Sequence, residues 1–115
     1  MSNKSDIQKL YFILEMIENI EEYIVDYNSL TIMLDNHKEY NATLMCFMQI
    51  GETLNKLVDS YKLLEAEDIK GAYDIRNFIA HDYEGIDKAR IENIIRTKMP
   101  KLKDVIDNII IEIGK

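Results

Sequence analysis

The 115 residues, 47% hydrophobic and 30% charged, suit one globular domain with its own core and exclude a disordered chain. One Pro and four Gly leave few turns, which favours long helices over a many-stranded sheet. A net charge of −7 argues against binding nucleic acid by bulk charge alone.

That charge is uneven. Residues 1–60 hold 4 Lys and Arg against 10 Asp and Glu, whereas residues 61–115 hold 10 against 11. The basic groups of the second half, among them Arg76, Lys88, Arg90, Arg96, Lys98, Lys101 and Lys103, permit a local anion site there. A single cysteine, Cys46, cannot form an internal disulfide and points to a reducing cytosol. No signal-like segment opens the sequence, and its wholly apolar runs are far too short to span a membrane. The expectation is a soluble cytoplasmic protein, one domain over residues 1–115.

In chain order, Ser5-Asp6-Ile7-Gln8 reads as a capping box, with Ser5 as N-cap. Ile7, Leu10, Tyr11, Leu14, Ile17, Ile20 and Ile24 then recur at threes and fours, so a first helix is expected to about Tyr27. Glu15, Glu18, Glu22 and Asp26 form its solvated face. Asn28-Ser29 breaks it, and Leu30 to Leu34 reads as one short helical turn capped by Ser29. After a polar break at Asp35 to Lys38, which places His37 in a loop, a long helix carries Tyr40, Leu44, Phe47, Ile50, Leu54, Leu57, Val58 and Tyr61. Met45, Cys46 and Met48 make its middle apolar on nearly all sides, the mark of a central helix or an interface. Gly51 costs this helix about 1 kcal/mol relative to Ala and so suggests close packing there.

A fourth helix is expected from Asp68 to Tyr83, with Ala72, Ile75 and Ile79 toward the core. Gly85 suits its C-terminal cap, Asp87 the next N-cap, and Ile86 with Ile91 a hydrophobic staple. Ile91, Ile94, Ile95, Leu102, Val105, Ile106, Ile109 and Ile113 continue a last helix, which Pro100 is expected to kink or split. Ile109, Ile110 and Ile111 exceed what one face can bury, which hints at a partner subunit. The fold expected is an all-α bundle of four to five helices.

No metal-binding spacing of His and Cys, calcium loop or Gly-rich phosphate loop is present. The chemistry gathers in Ile75-Arg76-Asn77-Phe78-Ile79-Ala80-His81-Asp82-Tyr83. On a helix Arg76 and His81 stand about 140° apart, Asn77 stacks on His81, and Tyr83 returns nearly to the stripe of Arg76. Histidine serves as acid or base near neutral pH, and the fork of arginine matches a phosphate. Cleavage of an RNA phosphodiester needs an acid, a base and a cation. One chain supplies only one histidine in this stretch, so acid plus base would require two subunits. The residues alone leave open a plain helix-end role for both side chains.

Arg76-Asn77-x-x-x-His81-x-Tyr83 resembles the signature of the HEPN superfamily, and its spacing resembles the HepT toxins of toxin–antitoxin pairs. Ile50-Gly51-Glu52, Gly85-Ile86-Asp87 and Met99-Pro100-Lys101-Leu102-Lys103 match further segments of that family in order. Thr53 departs from it, standing where the family often has Ala, and a frequent Trp before the fourth helix is absent. The resemblance implies a HEPN-like homodimer whose motif helices meet in a cleft. It implies a metal-independent endoribonuclease toxin of a type VII pair, needing no cofactor. Arg76 and His81 would be catalytic, with Asn77 supporting. Tyr83 would be the position to which an MntA-like nucleotidyltransferase antitoxin transfers AMP. The alternative, from another class, is a non-catalytic HEPN-like module that binds a nucleotide or a partner protein.

Overall fold

The computed structural model describes residues 3–57, Tyr61, Asn77 and 87–114. Four helices are described: α1 (Asn3–Tyr27), α2 (Leu30–Leu34), α3 (His37–Leu57) and α4 (Lys88–Ile113). All regular structure among the described residues is helical, and the fold is the expected all-α bundle. The expected helix over 68–83, its Gly85 cap and the Ile86 side of the staple lie outside the described residues, except that Asn77 is helical.

Leu10, Ile13, Ile17 and Ile20 of α1 are fully buried, while Glu15, Glu18, Glu22 and Asp26 face solvent as expected. The buried stripe runs through Ile13, outside the expected one, and Tyr11 is 55% exposed. The expected stripe was therefore turned by part of a residue step. The helix also starts two residues before Ser5, so Ser5 is not its N-cap.

The turn into α2 follows from three side chains. Asn28 takes φ 54, a left-handed conformation that asparagine tolerates, and its amide donates to the Val25 carbonyl at 3.1 Å. Ser29 is extended, and its Oγ accepts from the Ile32 amide at 3.2 Å as the N-cap. Asn36 Nδ2 then donates to the Ile32 carbonyl at 2.8 Å, closing the far end of α2. Short as it is, α2 buries Leu30, Met33 and Leu34.

His37 begins α3 and is exposed, so it belongs to a helix end and not to a loop. The α3 core line is Leu44, Cys46, Phe47, Ile50, Leu54 and Leu57, with Gly51 buried among them. Met45 is 55% exposed, so the middle of α3 is not covered on all sides by the described helices, and α1 and α2 each pack against all three of the other described helices. Thr53, the departure from the resembling pattern, is buried with its hydroxyl donating to the Gln49 carbonyl at 2.7 Å. A helix absorbs a buried threonine in this way without leaving its hydroxyl unpaired.

Asp87 caps α4, its Oδ1 accepting from the Ala89 amide at 2.9 Å. The helix runs unbroken through Pro100, contrary to a split. One lost hydrogen bond to Arg96 does not sever a helix anchored by Ile94, Ile95 and Met99 before it and Leu102, Ile106 and Ile109 after it. Lys103 Nζ donates to Glu21 Oε1 at 3.1 Å and ties α4 to α1. Of the three surplus isoleucines, Ile109 is buried, Ile110 half-buried and Ile111 59% exposed.

Phe47, at 1% exposure, is the largest fully buried side chain of this core. Phe47→Ala is expected to cost about 3–5 kcal/mol through lost transfer energy and the cavity left behind. For a domain of this size, thermal melting should show a midpoint lower by at least about 10 °C. A change of a degree or two would mean that the bundle closes over the gap.

Candidate functional site

Arg76, His81 and Tyr83 lie outside the described residues, and so do Ile75, Ile79 and the carboxylate of Asp82. Asn77 is the one motif residue described, and it is helical and exposed. The described flanks fix where the chain leaves and returns. Tyr61 donates to Asp6 Oδ2 at 3.3 Å, beside the start of α1. Lys88 lies 3.7 Å from Asp35 Oδ1, with its Nζ 5.3 Å from the centre of the Tyr40 ring. These anchor points sit at opposite ends of α3, a helix of 21 residues and hence about 30 Å long.

A second constellation was invisible in the sequence. Gln8, Lys9 and Phe12 of α1 and Gln49, Thr53 and Lys56 of α3 line an open groove of about 400 Å³. No pattern local to either helix marks these six residues. They meet because α1 and α3 pack side by side, which joins positions some forty residues apart. Gln8, Gln49 and Lys56 are exposed, whereas Phe12 is half-buried.

Along α1, several protons are held above their ordinary range. Burial raises Tyr61, helped by the charge of Asp6 and the bond to it. Burial likewise raises Tyr23, with Cys46 adding to it. For Tyr27 the cause is foremost its 2.8 Å bond to Glu39. Cys46 is raised by burial, partly offset by its hydrogen bond with Tyr23. Lys103 is raised by its hydrogen bond to Glu21.

Each of these groups binds its proton more tightly folded than unfolded. The stability this contributes is complete below the unfolded values of 9.0 for Cys46, 10.0 for the tyrosines and 10.5 for Lys103, and it is lost as pH rises through the folded ones. Urea midpoints are therefore expected to be flat from these groups near neutrality and to fall above about pH 9. A midpoint that holds or rises to pH 10.5 would contradict the assignment.

Helices alone among the described residues, with the Arg76-to-Tyr83 motif between α3 and α4 in sequence, define the class as small all-α HEPN-like domains. The particular family follows from comparison: residues 13–109 match the model of the family described as Ribonuclease HepT-like, and the chain belongs to that family. The match encloses Arg76, Asn77, His81 and Tyr83, and of the α1–α3 groove it covers the α3 wall, Gln49, Thr53 and Lys56, whereas Gln8, Lys9 and Phe12 of the α1 wall precede it. No curated protein and no solved structure matches the chain. Among the described residues, no helix is long and apolar enough to cross a membrane.

Proposed function

We propose that this protein is a metal-independent endoribonuclease, the toxin of a type VII toxin–antitoxin pair. The observation that carries this reading is the family match over residues 13–109, which encloses the whole Arg76-to-Tyr83 motif. The active unit is a homodimer in which two motif helices face each other across one cleft. His81 of one protomer takes the proton of a ribose 2′-hydroxyl, and the freed oxygen attacks the adjacent phosphorus. As the bond to the 5′-oxygen breaks, His81 of the other protomer returns a proton to it. A cyclic phosphate and a 5′-hydroxyl result, with no water or metal consumed.

Arg76 holds the phosphate and the charge that develops on its oxygens. Asn77 positions His81 or the phosphate. An MntA-like nucleotidyltransferase is the antitoxin, and AMP placed on Tyr83 silences the cleft. The half-exposed Ile110 and the exposed Ile111 support an apolar contact between protomers.

Expression without the antitoxin tests the reading. Growth should stop, and purified protein should cleave RNA in the presence of EDTA. A folded protein that leaves RNA intact at neutral pH, in a host that grows normally, would overturn it.

A further inference from the structure

We infer that the α1–α3 groove, whose described lining residues are none of the Arg76–His81 motif, is a binding track for single-stranded RNA. The inference rests on the ribonuclease reading and names where that enzyme holds its substrate. The first observation is how charge is sorted. Residues 1–60 carry ten acidic side chains and four lysines, yet among the described residues the groove is lined by two of those lysines, Lys9 and Lys56, and by no acidic one. A phosphate entering there meets lysine side chains in a half of the sequence whose charges are otherwise mostly acidic.

The second observation is the company those lysines keep. Phe12 supplies an aromatic ring that is half-buried and so held in place at the groove wall. Gln8 and Gln49 offer amides that donate and accept, and both are exposed. A basic groove that follows the backbone, with an aromatic platform for a base, is how proteins take single strands without needing a duplex. The volume of about 400 Å³ accommodates a nucleotide unit and lies within the range of ligand clefts. Thr53, whose hydroxyl is turned to the Gln49 carbonyl, forms part of the floor.

The substrate class is therefore unpaired RNA: loops, tails or splayed ends. The chain's net charge of −7 is compatible with RNA binding because this surface is locally basic.

The test uses the full chain with His81→Ala, so that a fluorescein-labelled single-stranded RNA of twelve nucleotides stays intact. Anisotropy is measured over a series of salt concentrations. Lys56→Glu should weaken binding about 3- to 10-fold and lower the slope of log K against log salt by about 0.7. Lys38→Glu, the same charge change on an exposed residue of α3 away from the groove, should leave both nearly unchanged. Phe12→Leu, which keeps apolar volume at the wall, should weaken binding about 5-fold or more with little effect of salt.

Equal losses for Lys56→Glu and Lys38→Glu would reduce the effect to net charge and overturn the track. So would cleavage by the His81 parent whose KM is unmoved by Lys56→Glu, and that result would leave the ribonuclease reading standing. RNA bound through Lys56 by a chain that cleaves nothing would do the reverse, keeping the track and removing the reading. A change in oligomeric mass with Lys56→Glu, at unchanged RNA affinity, would give the groove to a second copy and overturn the proposal.

Discussion

His81→Ala is expected to abolish RNA cleavage and growth arrest together, with a rate loss of at least about 10²- to 10⁴-fold. That is the scale of a positioned acid or base. On the proposed mechanism the loss is larger than for a single-histidine site, because the substitution removes acid and base at once. Arg76→Ala should lower the rate about 10²- to 10³-fold, since the developing phosphate charge loses its fixed donor. A composite site also makes a prediction about mixtures. If protomers assort freely and a fraction f is wild type, only the f² of dimers carrying both histidines cleave at full rate. Coexpressed His81→Ala should therefore act as a dominant negative, with activity following the square of the wild-type fraction. Gel-resolved cleavage of a labelled RNA by refolded mixtures reads this out. A linear dependence on f would place a complete site within each chain. Full activity in the His81→Ala homodimer would remove the mechanism altogether.

The local code of this chain was legible wherever one side chain decides the outcome. Ser29 and Asp87 cap α2 and α4 as their residue types require, and the acidic face of α1 stands in solvent. Errors arose where the decision was tertiary. Pro100 reads as a kink or a split in isolation, and buried residues on both sides rule out the split by holding α4 continuous through it. Tyr11 reads as core by periodicity, although it is 55% exposed and lies on a flank that no described neighbour covers. Ile13 shows the same effect with the opposite sign, since packing by three helices on α1 moves the centre of its buried stripe. The candidate site divides in the same manner. The Arg76-to-Tyr83 motif is contiguous, so its letters carry their own spacing, whereas the α1–α3 groove exists only after two distant helices have met.

Tyr83 is expected to be the off-switch of the proposed cleft, and its modification should lower cleavage by about 10²-fold or more. In the transfer, the Tyr83 phenolic oxygen bonds to the α-phosphorus of ATP and pyrophosphate leaves, while the phenol proton passes to solvent or a base of the partner enzyme. The product is a phosphodiester with one added negative charge and a whole adenosine. At seven residues from Arg76, the new phosphate would fall on the same stripe of the expected helix, where it would compete for the guanidinium that RNA needs. Its nucleoside adds bulk at the mouth of the cleft, so repulsion, competition and occlusion act together. Intact-mass measurement after incubation with the partner nucleotidyltransferase and ATP should show AMP-sized increments, and Tyr83→Phe should show none. The two forms then separate modification from capture. Tyr83→Phe should still cleave RNA and arrest growth, and the partner should fail to rescue it. If the partner neutralises Tyr83→Phe as well as wild type, inhibition is by binding and the tyrosine is not the switch. Increments that survive Tyr83→Phe would move the acceptor to another residue. Either result would leave His81 and Arg76 untouched, because the mixing experiment reports on them without the partner present.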